Sequence, residues 1–242
     1  MLQSELFPGA SARQVDDTVA ASTARPAPQT QTLCDVLMVP IRTLEAGDRP
    51  RILTHLLALE SADRYLRFGH SAGDEHIARY VDGLDFTRDE IFGIFSRKLH
   101  LLALAHLAYP DVATGRDAVE LGVSVASHAR GRSYGTRLFE RAAMHARNDG
   151  FARMVIHALS ENTAMLAIAH KAGAIVHHEG AEADAFLQLA PASLDSRVTE
   201  IVQEHLAQAD YRMKRQARQF SRMLGSLRLE RELGASSLSG DA

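Results

Sequence analysis

The chain has 242 residues, 46% of them hydrophobic and 24% charged, and its 27 Lys and Arg against 30 Asp and Glu give a formal charge of −3. That balance is ordinary for a folded soluble protein and supplies no basic field to draw in nucleic acid or an anionic membrane. Cys34 is the single cysteine, which excludes an internal disulfide and a CxxC metal site and fits a reducing, cytoplasmic setting.

Residues 1–32 are rich in Ala, Ser, Thr, Gln and Pro with no sustained period, the composition of a flexible tail. They lack the continuous apolar core of a signal peptide, and Asp16 and Asp17 argue against a transit peptide. Nor does any later apolar run approach the roughly 18 residues of a membrane span.

Cys34 to Leu44 alternates as a strand, with Pro40 favouring an edge. Asp48 to Phe68 is expected as one helix from Ile52, Leu53, Leu56, Leu57 and Leu59, opened by Pro50. Gly69 and Gly73 interrupt it before a second helix, His76 to Leu84, spaced by Ile77, Tyr80, Val81 and Leu84. Asp89–Phe95 and Leu99–Tyr109 form a hairpin across the charged turn Ser96-Arg97-Lys98. After the loop 110–116, Asp117 to Val125 reads as a buried strand and Thr136 to Asn148 as a helix, with Asp149-Gly150 its stop. Phe151 to Ala158 is a strand, Thr163 to Ala172 a short helix ended by Gly173, and 174–178 and 183–189 are two last strands. From 191 to about 233, apolar residues at three- and four-residue steps mark a long amphipathic helix, with Gly225 a candidate break. It is expected to pack back on the sheet or to pair with a second copy.

The chemistry concentrates between strand 117–125 and helix 136–148, at Arg130-Gly131-Arg132-Ser133-Tyr134-Gly135. A strand, an Arg/Gly turn and a helix aim free N–H groups and the helix dipole at whatever lies beyond the strand, which favours a phosphate. Glycine there allows close approach of the backbone to a ligand.

These residues, in this order, resemble the GNAT superfamily of acetyl-coenzyme A-dependent N-acyltransferases over roughly 34–190. The family's signature, Gln/Arg-x-x-Gly-x-Gly/Ala after its fourth strand, aligns with Arg130 to Gly135, with Ser133 in place of the first glycine; Ser is a good helix N-cap. An Asn after the fifth strand is matched by Asn162, and the helix-ending Gly by Gly173, followed here by Ala174 instead of Phe. Asp63 to Phe68 looks, more loosely, like an element of bacterial protein-lysine acetyltransferase domains. The resemblance implies a mixed α/β (α+β) fold with a central sheet of about six to seven strands between helices. The corresponding organisation is a tail at 1–32, an acyltransferase domain at 33–190 and a helical extension at 191–242.

It also implies acetyl-CoA as donor, held by the backbone of Val123, Ser124 and Val125 and by Arg130, Gly131, Arg132, Ser133, Tyr134, Gly135, Thr136 and Asn162. Arg130 and Arg132 are otherwise solvated surface, and Asn162 otherwise a helix cap. Glu120 shares a strand face with Gly122 and Ser124 opposite the apolar Val119, Leu121, Val123 and Val125. It is the candidate base for the acceptor, an amine protonated at neutral pH, or else an ordinary solvated carboxylate. The family's tyrosine acid falls at Ala169 and is missing; Ser124, Ser160, His157 or water remain to protonate the thiolate, which leaves tolerably unaided. The 12 histidines are scattered without metal-ligand spacing, so no metal is expected; there is also no GxxxxGK loop. The expected activity is acetyl transfer to a small-molecule amine or a protein lysine by direct attack in a ternary complex. No nucleic acid or membrane partner is expected, and a homodimer through the last helix is open. The alternative is a CoA-binding regulatory or interaction protein.

Overall fold

The computed structural model describes residues 39–110 and 118–237, the stretch 222–237 as backbone only. The tail 1–32, residues 34–38 of the first expected strand, the loop 111–116 and Asp117 lie outside the described residues.

Seven strands form one mixed sheet. In chain order they are β1 (Ile41–Thr43), β2 (Glu90–Phe95), β3 (Leu101–Ala108), β4 (Ala118–Val125), β5 (Arg153–Leu159), β6 (Ile175–Glu179) and β7 (Glu182–Gln188). They lie in the order β1-β2-β3-β4-β5-β7-β6. Only β4 and β5 run parallel; the other neighbours are antiparallel. Pro40, which has no N–H to donate, immediately precedes the edge strand β1, as its chemistry requires.

Helices α1 (Arg49–Leu57), α2 (Ser61–Phe68) and α3 (Asp74–Asp82) precede β2, α4 (Tyr134–Asn148) follows β4, α5 (Thr163–Lys171) follows β5, and α6 (Leu194–Ser237) closes the chain. Strand alternation divides the apolar residues between two cores. Ala103, Ala105, Leu107, Val119 and Leu121 pack with Leu138 and Phe139 of α4 and Ala169 of α5. Leu104 and Ile91, with Leu101 brought to the same side by a register shift at Ile94/Phe95, pack on the opposite face with Ile52 and Leu56 of α1 and Ile77 and Val81 of α3. Each fully buried Leu, Ile, Val or Phe among them contributes roughly 1.5–3 kcal/mol.

The single helix expected over 48–68 is two. Leu59 turns into the core, 5% exposed, and Arg64 satisfies the carbonyls freed there, donating to Leu57 O at 2.6 Å and Leu59 O at 3.0 Å. A buried residue and a cation reaching back from the next helix leave no local breaker in the sequence. The α2 helix has no buried residue of its own and lies across β4 and β5. The hairpin turn after β2 carries Leu99 at φ +58°.

Helix α6 packs against β1 and α4 and runs through Gly225 unbroken; a glycine costs about 1 kcal/mol in a helix, too little to end so long a one. Its Glu204 accepts from Thr43 N at 3.3 Å and Thr43 Oγ1 at 3.1 Å, occupying the outer edge of β1. Buried Arg141 of α4 lies 3.1 Å from Glu200 and 3.2 Å from Glu204.

Candidate active site

The parallel pairing of β4 with β5 is short: Ala118 opposite Arg153, Val119 opposite Met154, Glu120 opposite Val155. Beyond Glu120, β4 stays paired with β3 as far as Val125, and β5 with β7 as far as Leu159. The two central strands therefore part at Glu120, and the backbone of β4 past it has no ladder partner on the β5 side. A cleft of about 450 Å³ occupies this opening, lined among others by Arg67, Tyr80, Glu120, Val123, His157 and Asn162.

At the far end of β4 a short 3-10 turn, Ser127–Ala129, leads into extended Arg130. Gly131 has φ +73° and Ser133 φ +59°. The fourth place of the signature thus demands a left-handed residue, which glycine supplies without strain and Ser133 does not. Ser133 occupies the N-cap position of α4 but its hydroxyl caps nothing, contrary to the capping expected of it, because the left-handed backbone turns the side chain away. The first helical bond runs from Arg137 N to Ser133 O at 3.0 Å, which leaves the N–H groups of Tyr134, Gly135 and Thr136 as the free donors of the helix end. Gly135 also has a packing reason to be small: a Cβ there would meet Ile168 Cδ1 at 3.1 Å, in the contact between α4 and α5. Arg130 is ion-paired with Asp63 of α2, and Arg132 is exposed.

Glu120 is exposed at the mouth of the wedge. Ser124, on the same strand face, is 7% exposed, and its hydroxyl is engaged away from the cleft. His55 Nδ1 donates to Leu101 O at 3.1 Å, so Nε2 is the acceptor and Ser124 Oγ donates to it at 2.9 Å. Burial is the main cause that brings His55 down to about 4, which keeps that imidazole neutral. Ser124 thus offers the cleft its backbone.

Asn162 is the N-cap of α5: its Oδ1 accepts from Met165 N at 3.2 Å, while Nδ2 donates to Leu66 O at 3.3 Å. Ala169 is fully buried, 0% exposed. Ser160 is bonded to the carbonyls of Gly180 and Glu182 at 3.1 and 3.0 Å, and His157 Nδ1 lies 2.7 Å from Asp184 Oδ1. Among the described residues no group of His, Cys, Asp and Glu could hold a metal ion.

Sequence reasoning missed a set of side chains on the α2–α3 side of the wedge. Gly122 leaves room for the Arg67 guanidinium, whose Nη2 donates to Tyr80 Oη at 3.0 Å. Tyr80 Oη is 2.7 Å from His106 Nδ1, and His106 Nε2 is 3.1 Å from Asp89 Oδ2. Arg67 stands in the stretch singled out for its resemblance, but Tyr80 was legible only as a helical apolar position. Nothing local signals that His106, opposite Gly122 across the ladder, meets it.

Residues 39–175 match the acetyltransferase (GNAT) domain family. No curated protein matches the chain significantly in sequence. Among solved structures, the GNAT domain of Streptomyces lividans PAT is 18% identical with a TM-score of 0.53, over 62% of this chain and 89% of that one. The structure of yncA from Salmonella typhimurium with its cofactor acetyl-CoA is 18% identical with a TM-score of 0.51, over 64% and 96%. A GNAT-superfamily phosphinothricin acetyltransferase from Sinorhizobium meliloti, in complex with acetyl-CoA, is 14% identical with a TM-score of 0.51, over 64% and 94%. A mixed sheet that opens between its two parallel strands, toward a left-handed turn and a bare helix N-terminus, is the GNAT architecture, and the chain belongs to the GNAT acetyltransferase family. Among the described residues no helix is long and apolar enough to cross a membrane.

Proposed function

We propose that the protein is an N-acetyltransferase that moves the acetyl group of acetyl-CoA directly onto an amine, a small molecule or a protein lysine, within a ternary complex in the cytoplasm. The observation that carries this reading is the parting of β4 from β5 at Glu120. It leaves strand backbone unpaired where a pantetheine arm could add as a strand, and a carboxylate where an amine would approach. The anion end is built of the free N–H groups of Tyr134, Gly135 and Thr136, the open backbone at Gly131 and Ser133, and the side chains of Arg130 and Arg132. The β4 N–H groups at Val123 and Val125 are the donors available to the thioester oxygen as negative charge develops on it. The protonated acceptor sheds two protons in becoming an amide: one leaves the ammonium before the nitrogen lone pair attacks the thioester carbon, Glu120 takes the second as the amide forms, and CoA leaves as thiolate. Asn162 orders the loop that closes the pantetheine side. No metal takes part, and neither nucleic acid nor a membrane is a partner.

The domain at 33–190 carries this chemistry, and the extension at 191–242 supports it and offers a face for homodimer formation. A second reading, a CoA-binding protein of weak catalysis, is favoured by Ala169, which has no acidic proton to give at the position of the family's tyrosine acid.

Calorimetry with acetyl-CoA on the wild type and on Thr136→Glu tests the cofactor site. Glu at the third helical position suits the helix but sets a negative charge where phosphate would lie. Binding by the wild type that is lost in the folded variant supports the site; no binding by the wild type overturns the reading. Acetyl transfer to any member of a panel of amines and lysine peptides, reduced at least about 100-fold in Glu120→Gln, separates the enzyme from the binding protein.

A further inference from the structure

Resting on that reading, we propose that Tyr80 is a catalytic hydroxyl that relays the acceptor's proton to His106, with Asp89 positioning His106 to receive it. Tyr80 lines the cleft together with Glu120 and Arg67, and behind it the hydrogen bonds have one direction. Asp89, 6% exposed, takes bonds from Arg88 Nε at 2.9 Å and Tyr109 N at 3.2 Å. A carboxylate so held only accepts, so the bond to it fixes the proton of His106 on Nε2 and leaves the Nδ1 lone pair for Tyr80. Tyr80 then points its own proton at His106. It receives one N–H from Arg67 and keeps one lone pair for the cleft.

This arrangement is set to withdraw a proton. The acceptor's ammonium N–H bond breaks and its proton joins Tyr80 Oη; the Tyr80 O–H bond breaks in concert and that proton joins His106 Nδ1. The nitrogen lone pair is freed for the thioester carbon. The imidazolium formed is opposed by Asp89, and the tyrosine ends as it began, neutral. Burial raises the Tyr80 phenol, with Glu120 and Asp89 adding to the rise and Arg67 opposing it, so a standing phenolate is disfavoured and transfer through the neutral hydroxyl is favoured. Burial likewise lowers His106, keeping it free to accept.

The test compares Tyr80→Phe and His106→Gln with the wild type on two acceptors: a primary amine from the panel, and the same amine fluorinated beside the nitrogen so that it is unprotonated at neutral pH. Gln at 106 can bond to both neighbours but cannot carry a proton. Loss of about 100-fold in kcat on the basic amine, shrinking to within about threefold on the fluorinated one, with acetyl-CoA affinity unchanged, is the expected result. Equal loss on both acceptors, or none on either, overturns the relay while leaving the acetyltransferase standing. Absence of transfer by the wild type with both overturns the acetyltransferase and the relay with it. Should Tyr80→Phe fail to fold, His106→Gln reads the same difference.

Discussion

Arg130, which opens the turn before α4, is ion-paired with Asp63 of α2, and that carboxylate is 13% exposed while the guanidinium is 52% exposed. The helix that covers the wedge therefore holds a cation of the turn proposed to bind the cofactor, and Asn162 on the far side of the wedge donates to Leu66 O of the same helix. A phosphate arriving at the turn competes with Asp63 for Arg130. Asp63→Asn is expected to tighten CoA binding two- to fivefold, about 0.5–1 kcal/mol for a partly exposed pair, with the gain fading as salt is added. Calorimetry at two ionic strengths reads it, and weaker binding in the variant would mean that Asp63 serves the site by holding α2 in place.

Ser133 pays for its left-handed backbone, φ +59°, in conformational energy, about 1 kcal/mol or more for a residue with a Cβ. Glycine recovers that cost but loses roughly 0.5–1 kcal/mol of chain entropy on folding. Ser133→Gly is therefore expected to leave the melting temperature level or raise it by a degree or two with CoA affinity kept, whereas Ser133→Val, stiff and branched at Cβ, lowers it. Scanning calorimetry on the three proteins checks this ranking. A Val variant as stable as the wild type would show that the turn relaxes out of the left-handed region.

The positions of these two residues show where sequence reading succeeds and where it ends. The hairpin, α4, α5, the turn at 130–135 and the strands from β2 onward announce themselves through local period and glycine spacing, and the structure has each of them in order. Of the first expected strand, 34–44, the described residues hold only Ile41–Thr43 as strand. Features set by tertiary contacts, rather than by local period, were not legible. The division of helix 48–68 depends on Leu59 finding the core and Arg64 bonding backward, and Gly135 answers to Ile168, 33 positions on. Ser124 shares a strand face with Glu120 as alternation requires, yet its hydroxyl belongs to His55 of α1. Glu120 stood out in its strand, since a carboxylate interrupting an apolar strand is a local signal, and it lines the cleft. The Tyr80–His106–Asp89 series could not be read, because it joins α3, β3 and the residue before β2.

The attachment of α6 has its own dependence on pH. His145 Nδ1 lies 2.5 Å from Glu200 Oε1, and Asn148 Nδ2 donates to Glu200 Oε2 at 2.6 Å. Burial alone would raise Glu200, but the bonds from His145 and Asn148 and the charges of His145 and Arg141 outweigh it and bring it to about 2. Burial alone would lower His145, but Glu200, Asp149 and Glu90 outweigh it and raise it. A carboxyl held low stabilises the fold above its free value near 4.5 and loses that contribution as pH falls toward 2; a histidine held high stabilises below about 6.5 and loses it as pH rises through its folded value. The clamp is strongest between these, from about pH 5 to 6.5. Melting temperature is expected to fall on both sides of that window in the wild type, and the decline above it to flatten in Glu200→Gln. An unchanged alkaline slope in the variant would remove His145 as its source.

Most of the large apolar side chains left exposed among the described residues lie on α6. Leu206, Met213 and Phe220, at seven-residue steps, are 44%, 63% and 60% exposed, and Val202, one turn before them, is 44% exposed. On the opposite side Ala207 and Tyr211 are buried against the domain, so the helix is fixed in rotation and the apolar stripe must face outward. A seven-residue period is the spacing a helix pair uses at its seam, and the prediction is that this stripe pairs with a second copy of the chain. From Val202 to Phe220 it extends about 27 Å at 1.5 Å per residue, long enough for several layers of knobs and holes. Light scattering of the full chain is expected to give twice the monomer mass, and Leu206→Glu with Met213→Glu to return the monomer with its melting temperature reduced and CoA binding intact. A wild type that runs as a monomer at tens of micromolar would assign the stripe to a different partner.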